Sequence, residues 1–439
     1  MKQLKIGIIL SFLAAVPFIC IAQQKGLQFE SGLSWKQLKE KARSENRYLF
    51  VDCMATWCGP CKMMDRVVYI NDSVRDVMSQ NFIAVKVQMD TSKNDDSQIK
   101  SWYSDASAIG KAYGITAYPT YLFLSPKGEL VHKGVGYKDV QEFIALSLDA
   151  LNPKRQYITL VKDYEQGKKD YSVMRYLATT AILFGDSSLA KKIANDYINN
   201  YLLGLEDEKL YTRENMEFLM TFAGNPEGKG FRFLYQNTEK VSKALNDPTG
   251  IKSFVATVIS KAEIDPAIIS AAQSPTGSPD WERIRIAVKS KYDEYYADRT
   301  IIDAKARWYA WRKDWPEFTK NTVLYLNNFG HDLSNYDIND RAWNVFPYVV
   351  DKKDLEEVTR WMEKVVKTEK DSANLLPAAL DTYANLLHKS GRTEEAIPIE
   401  ENAFNMSIEY KMAWYTTAGM YRCLKNMKKG KPTWIKEEE

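Results

Sequence analysis

The stretch Tyr48-Leu49-Phe50-Val51-Asp52-Cys53-Met54-Ala55-Thr56-Trp57-Cys58-Gly59-Pro60-Cys61-Lys62 decides how this chain folds. Tyr48 to Met54 form a nearly continuous apolar run, the pattern of a strand buried on both faces. Trp57 to Lys62 then hold two cysteines with two residues between them, and Gly59 to Val68 reads as a helix that begins inside this motif. A strand that stops just before such a pair, and a helix that starts within it, is an arrangement for making sulfur reactive. The free N–H groups and partial positive charge of a helix N-terminus favour the thiolate of Cys58 over its thiol. The thiolate is the form that attacks a disulfide. Cys61 lies one turn further, where it can release the resulting mixed disulfide. Pro60 suits the first turn, where no backbone donor is needed.

The sequence on either side predicts the rest of a domain. Ser34 precedes a helical pattern over Trp35 to Asn46, and Asp72 or Ser73 caps a short helix. Phe82 to Met89 is a second buried strand, Lys93 to Gln98 a polar loop, and Ile99 to Tyr113 a helix. Tyr121 to Leu124 and Glu129 to Lys133 flank Ser125-Pro126-Lys127-Gly128, a hairpin turn, and Asp139 to Leu151 closes with a helix. The result is an α/β layout around a central sheet.

Several separate motifs make this region resemble thioredoxin, over Tyr48 to Leu151. Asp52, six residues before Cys58, matches that family's buried acid, and Lys86, followed by Asp90, matches the lysine that pairs with it. Tyr113-Gly114-Ile115-Thr116-Ala117-Tyr118-Pro119-Thr120 matches the loop with the family's cis-proline, and Gly128 and Gly136 keep the spacing of its last hairpin. The resemblance implies a thioredoxin fold over 23–152. It implies Cys58 as nucleophile, Cys61 as resolving thiol, Asp52 as proton acceptor and Lys86 as its partner. Pro119 would be cis and face the cysteines, leaving the backbone of Tyr118 free for an extended client segment. Trp57, Gly59 and Pro60 would complete that contact surface. Extra residues between Asp90 and Tyr113, together with signs of export, make the chain more similar to exported relatives, the thioredoxin-like part of DsbD and TlpA-like proteins.

Residues 1–22 read as a signal peptide. Lys2 and Lys5 precede an apolar run from Ile6 to Ile21, with small residues placed for cleavage after Ala22. The run is short for a membrane anchor and contains Pro17; Cys20 as a lipid acceptor is the other alternative. After Asn152-Pro153-Lys154 strand signals fade, and 153–439 is expected to be all-α. Ala384, Gly391, Ala396 and Ala403 stand at offsets 0, 7, 12 and 19, as do Ala178, Gly185, Ala190 and, less fittingly, Tyr197. Small residues at such spacing resemble a degenerate tetratricopeptide repeat, in which paired helices touch closely. Trp343 to Val350 and Leu355 to Val366 form another expected helix pair, and Ser274 to Pro279 a loop that divides the region.

Composition narrows the function. The 439 residues are 45% hydrophobic and 27% charged with a net charge of +3, which gives no argument for a nucleic-acid partner. Five cysteines are too few for a disulfide-stapled scaffold of this length. His132, His331 and His388 have no metal-ligand spacing, so Cys58 and Cys61 as half of a zinc site is the weaker alternative, and no metal is expected. Cys53 points to the sheet face opposite Asp52 and reads as inert, as does Cys423, with a bridge between them as the alternative. Trp308, Trp311, Trp315, Trp343 and Trp361 read as core more than as a ligand pocket. No nicotinamide or flavin fingerprint is present, so the cofactor is the Cys58–Cys61 disulfide itself and electrons come from a partner protein. The Gly-Pro dipeptide is that of thioredoxin, whose potential of about −270 mV contrasts with about −120 mV for the oxidant DsbA. An exported reductase or isomerase of protein disulfides is therefore expected. A helical adaptor with a docking domain, and a disulfide-donating oxidase, are the alternatives.

Overall fold

The computed structural model describes residues 26–274, 277–369, 373 and 375–434. The expected signal segment at 1–22, with Cys20, lies outside these residues, as does part of the 274–279 loop.

The sheet has four strands, β1 (Tyr48–Met54), β2 (Phe82–Gln88), β3 (Thr120–Leu124) and β4 (Leu130–Val135), in the order β2-β1-β3-β4. β2 runs parallel to β1, while β3 and β4 are antiparallel to their neighbours. β1 is central, which explains why it carries no alternation of polar and apolar residues: both faces are covered. Phe50 joins Tyr121, Phe123, Met64, Val68, Tyr69 and Phe143 on one face. Leu49, Val51 and Cys53 join Val85, Leu122, Ala106 and Ile109 on the other.

Helices α1 (Trp35–Ser44), α2 (Gly59–Met63), α3 (Asp72–Asn81), α4 (Ser97–Ser101), α5 (Tyr103–Tyr113) and α6 (Val140–Leu151) complete the domain. Reciprocal caps start α1 (Ser34 with Gln37) and α6 (Asp139 with Glu142). The expected cap of α3 is corrected by one residue: Asn71 accepts from the N–H groups of Ser73 and Val74, and Asp72 sits in the first turn, where its charge suits the helix dipole. The single helix expected over Gly59 to Val68 is α2 followed by a π-turn over Met64–Val68.

The chain divides into two compact units, 1–193 and 194–439, later than the change in secondary structure at Asn152-Pro153-Lys154. Two further helices, α7 (Tyr157–Glu165) and α8 (Tyr171–Leu183), fall in the first unit. The Tyr157 N–H donates to His132 Nδ1 at 2.9 Å, and Gln156 Nε2 donates to the Ala150 carbonyl at 2.8 Å. Both bonds tie the start of α7 to the sheet domain.

The second unit is helical throughout its described residues. The helices Leu375–Lys389 and Thr393–Glu409 pack closely, with Ala384, Ala396 and Ala403 fully buried and Gly391 at φ +85° in the turn between them. Of the expected helix pair, the second is present as Lys352–Thr368, capped by Asp351, whereas the first, expected over Trp343 to Val350, is corrected to Asn335–Val345, with 346–350 outside any helix. The tryptophans split. Trp308 is buried, but Trp311 and Trp343 are exposed, so the core reading fails for those two.

Candidate redox site

β1 delivers the chain to the site, and α2 begins there. Cys58 is the N-cap of α2, and its Sγ accepts from the Cys61 N–H at 3.1 Å. The two cysteines form a disulfide with Cα atoms 5.3 Å apart. Both sulfurs are secluded: Cys58 is 2% exposed and Cys61 3%. Beside them Trp57, Gly59 and Pro60 are exposed, Trp57 at 70%. Met63, Val67 and Ile70 continue that apolar surface along the following turns. The expected contact residues thus surround a shielded disulfide.

The Tyr118–Pro119 bond is cis. Tyr118 packs on the small cluster of Ala55, Cys58 and Cys61, and its ring meets that of Trp57 edge-on, with centroids 5.8 Å apart. Pro119 is buried and its carbonyl accepts from the Gly136 N–H at 2.9 Å, which fixes the loop to β4. Among the described residues, the Tyr118 peptide takes part in no backbone hydrogen bond outside the regular elements.

Asp52 is 2% exposed in the middle of β1, opposite Lys86 of β2 and Tyr121 of β3. Burial pushes its carboxyl up to about 7, a rise moderated by the positive charge of Lys86 and by the Tyr69 hydroxyl. The Tyr69 hydroxyl lies near without closing a hydrogen bond, and Asp52 Oδ1 has no partner. A carboxyl of this kind carries a proton near neutrality and can give or take it.

The expected direct pairing of Lys86 with Asp52 is corrected. Lys86 Nζ hydrogen-bonds to Asp65 and lies over the rings of Phe29 and Tyr69, 4.8 and 5.4 Å from their centroids. Asp65 is partly solvated, so this ion pair keeps its hydration. A pair with Asp52 would have to bury the ammonium as well, at a cost the attraction does not recover. Lys86 acts on Asp52 through its field alone.

Three residues were not legible in the sequence. Asp65 and Tyr69 reach the site only because the π-turn brings the end of α2 back over Lys86 and Asp52. Asp90 accepts from the N–H of Thr56, with contacts of 3.0 and 3.1 Å, and from its hydroxyl, bracing the loop just before Trp57. A lone aspartate after a strand gives no hint of that role. Cys53 lies on the far side of the sheet, and burial pushes its thiol well up, so it is not a competing nucleophile. Cys53 and Cys423 are both free.

The extra residues before the Pro119 loop build a wall beside the site. Asp95 accepts from Gln88 Nε2, the Ser92 N–H and the Tyr103 hydroxyl at 2.9, 2.7 and 2.6 Å, so the polar segment is ordered against β2. A cavity of about 410 Å³ lies there, lined among others by Met89, Asp90, Tyr103, Ile115 and Tyr118. Tyr118 is shared between this cavity and the disulfide.

A thioredoxin-like domain model matches residues 35–151. Thioredoxin H4 of Arabidopsis thaliana is 30% identical over 102 residues, covering 23% of this chain and 71% of that protein. The thiol:disulfide interchange protein DsbD of Campylobacter jejuni is 29% identical over 92 residues, 21% of this chain and 16% of that one. The solution structure of a disulphide-isomerase candidate from Bacteroides thetaiotaomicron is 33% identical, covering 30% of this chain and 98% of that one, with a TM-score of 0.25. The chain belongs to the thioredoxin family through its first unit. With a disulfide between Cys58 and Cys61 in that fold, it is a thiol–disulfide oxidoreductase.

Proposed function

We propose that the chain is an exported oxidoreductase that reduces or reshuffles disulfides in extracytoplasmic proteins. The observation that carries this is the juxtaposition of Cys58 at the N-terminus of α2 with Tyr118 and the cis Pro119. Export rests on the reading of residues 1–22. No helix among the described residues is long and apolar enough to cross a membrane.

In the reduced enzyme the Cys58 thiolate attacks one sulfur of a client disulfide and expels the other as a thiolate. Cys61 loses its proton, attacks Cys58 Sγ, and releases the second client sulfur, leaving the Cys58–Cys61 disulfide. Two electrons pass to the client. Asp52, with a carboxyl near 7, takes the Cys61 proton. A partner protein returns the electrons. The seclusion of both sulfurs favours clients that dock on Trp57 and Tyr118 and present their disulfide along the Tyr118 backbone.

The test is reduction of insulin-type disulfides at the expense of dithiothreitol, together with Cys61→Ser, which should retain clients on Cys58 as mixed disulfides identifiable by mass spectrometry. Activity without retained clients would favour the oxidase direction, read by titration against glutathione. No activity and no capture would leave the adaptor reading.

A further inference from the structure

Asp381, Glu400 and Cys423 belong to three successive helices, Leu375–Lys389, Thr393–Glu409 and Trp414–Met427. The sequence shows no metal-ligand spacing in this region, but the fold brings them together: one oxygen from each acid and the sulfur of Cys423 all lie within 4.8 Å of one another. Glu400 is completely buried, and neither of its carboxylate oxygens has a hydrogen-bond donor. Asn385, one turn beyond Asp381 and also completely buried, supplies a second, independent sign. Its Nδ2 donates to Asp381 Oδ1 at 2.7 Å and to the Asp381 carbonyl at 2.8 Å, which leaves its Oδ1 without a partner.

The chemistry of this group is one-sided. Ionised carboxylates and an amide oxygen only accept, and a buried acceptor with nothing to accept is costly. Such a set calls for a proton or for a cation. The sulfur decides between kinds of cation: calcium and magnesium take all-oxygen sets, whereas a thiolate selects zinc and related ions. Asp381 and Cys423 are half-buried, which gives an ion a way in, while Glu400 closes the floor.

We propose that Asp381, Glu400 and Cys423 form a site for a zinc-type divalent cation that fastens the last three helices together. A tetrahedral zinc places a thiolate sulfur and a carboxylate oxygen about 3.5 Å apart, so ligand atoms that lie no more than 4.8 Å apart need only a small closure on loading. Binding releases two protons, one from Cys423 and the one that burial keeps on the Asp381–Glu400 pair, and the ion bonds the Cys423 sulfur and one oxygen from each acid. The role assigned to the ion is structural, because its three protein ligands come from three successive helices.

The test uses the full chain, stripped with a chelator and oxidised so that Cys58 and Cys61 are locked as a disulfide. Cobalt(II) is added as a spectroscopic probe. One equivalent should produce a thiolate-to-cobalt charge-transfer band, displaced by zinc, and zinc should raise the melting temperature. Cys423→Ser should abolish the band, and Glu400→Gln should weaken binding by about tenfold or more. Absence of the band overturns the proposal, as does a band that survives Cys423→Ser. So does a band that appears only after reduction and disappears with Cys58→Ser, which would put the metal on the redox pair. If zinc leaves the melting temperature unchanged while Glu400→Gln raises it, the two acids share only a proton and the proposal falls. Should Glu400→Gln fail to fold, Cys423→Ser, at a half-buried position, decides alone.

Discussion

Replacing Asp52 by asparagine should stabilise the first unit above neutrality and destabilise it in acid. Asp52 is buried, and its carboxyl titrates at about 7 instead of the ordinary 3.8. A raised carboxyl pKa means that the folded state holds the proton more tightly than the unfolded chain. The penalty is absent below 3.8, grows as pH rises, and is complete above about 7. At about 1.4 kcal/mol per pH unit, the distance between those two values amounts to about 4 kcal/mol. The substituted amide never ionises, so it escapes the penalty. Its hydrogens would lack partners beside the unsatisfied Oδ1 position, which takes back about 1–3 kcal/mol. The net expectation for Asp52→Asn is a gain of about 1–3 kcal/mol at pH 8.5 and a loss of similar size at pH 4. Because the chain holds two compact units, whole-chain melting would mix their transitions. Hydrogen exchange of peptides from β1 and β3 as a function of denaturant isolates the relevant one. A difference between variant and parent that is the same at both pH values would refute the reasoning.

Lys86→Gln removes the positive charge that holds Asp52 down, so the carboxyl should rise above about 7 and the pH midpoint of client reduction should move upward; an unmoved stopped-flow pH profile would count against it. His132 is buried, accepts from the Tyr157 N–H, and is pushed by burial from 6.5 down to about 4. Its depressed value means that stability present above 6.5 is lost as pH falls toward 4, by about 3 kcal/mol in all, seen as faster amide exchange in α7; an acid-insensitive α7 would contradict this. Ala403→Leu forces a bulky side chain between the helices Leu375–Lys389 and Thr393–Glu409 and should cost the helical unit about 1–3 kcal/mol in denaturant, with insulin reduction unchanged; loss of activity would link the two units functionally.

The first unit was legible because its signals are local. The run Tyr48–Met54 matches β1 residue for residue, and the Asn152-Pro153-Lys154 stop falls immediately after α6. The loop before Pro119 was readable through its resemblance to the family, which carried the cis bond that spacing alone could not. What escaped was set by side chains from distant segments. Lys86 had two acids within reach, and the choice of Asp65 over Asp52 depends on hydration, which no strand pattern records. The bond from Thr56 to Asp90 joins positions whose proximity exists only once β1 and β2 are paired. In the helical region the alternation of small residues marked where Ala384, Ala396 and Ala403 would be buried. It did not mark which polar positions converge, and the meeting of Asp381 with Glu400 and Cys423 is a property of three helices at once.

The bond from Tyr157 to His132 has a practical consequence for anyone dissecting this chain. Cutting after Leu151, where the family's pattern ends, would remove α7 and α8, uncover the side of β4 that α7 packs against, and leave the His132 imidazole without its backbone donor. A fragment so trimmed would be sticky for reasons unrelated to its cysteines, and the acid sensitivity that burial gives His132 would go with the helix that buries it. A fragment that retains α7 and α8 keeps that side of the sheet covered, and it is the shorter piece on which redox potentials should be measured.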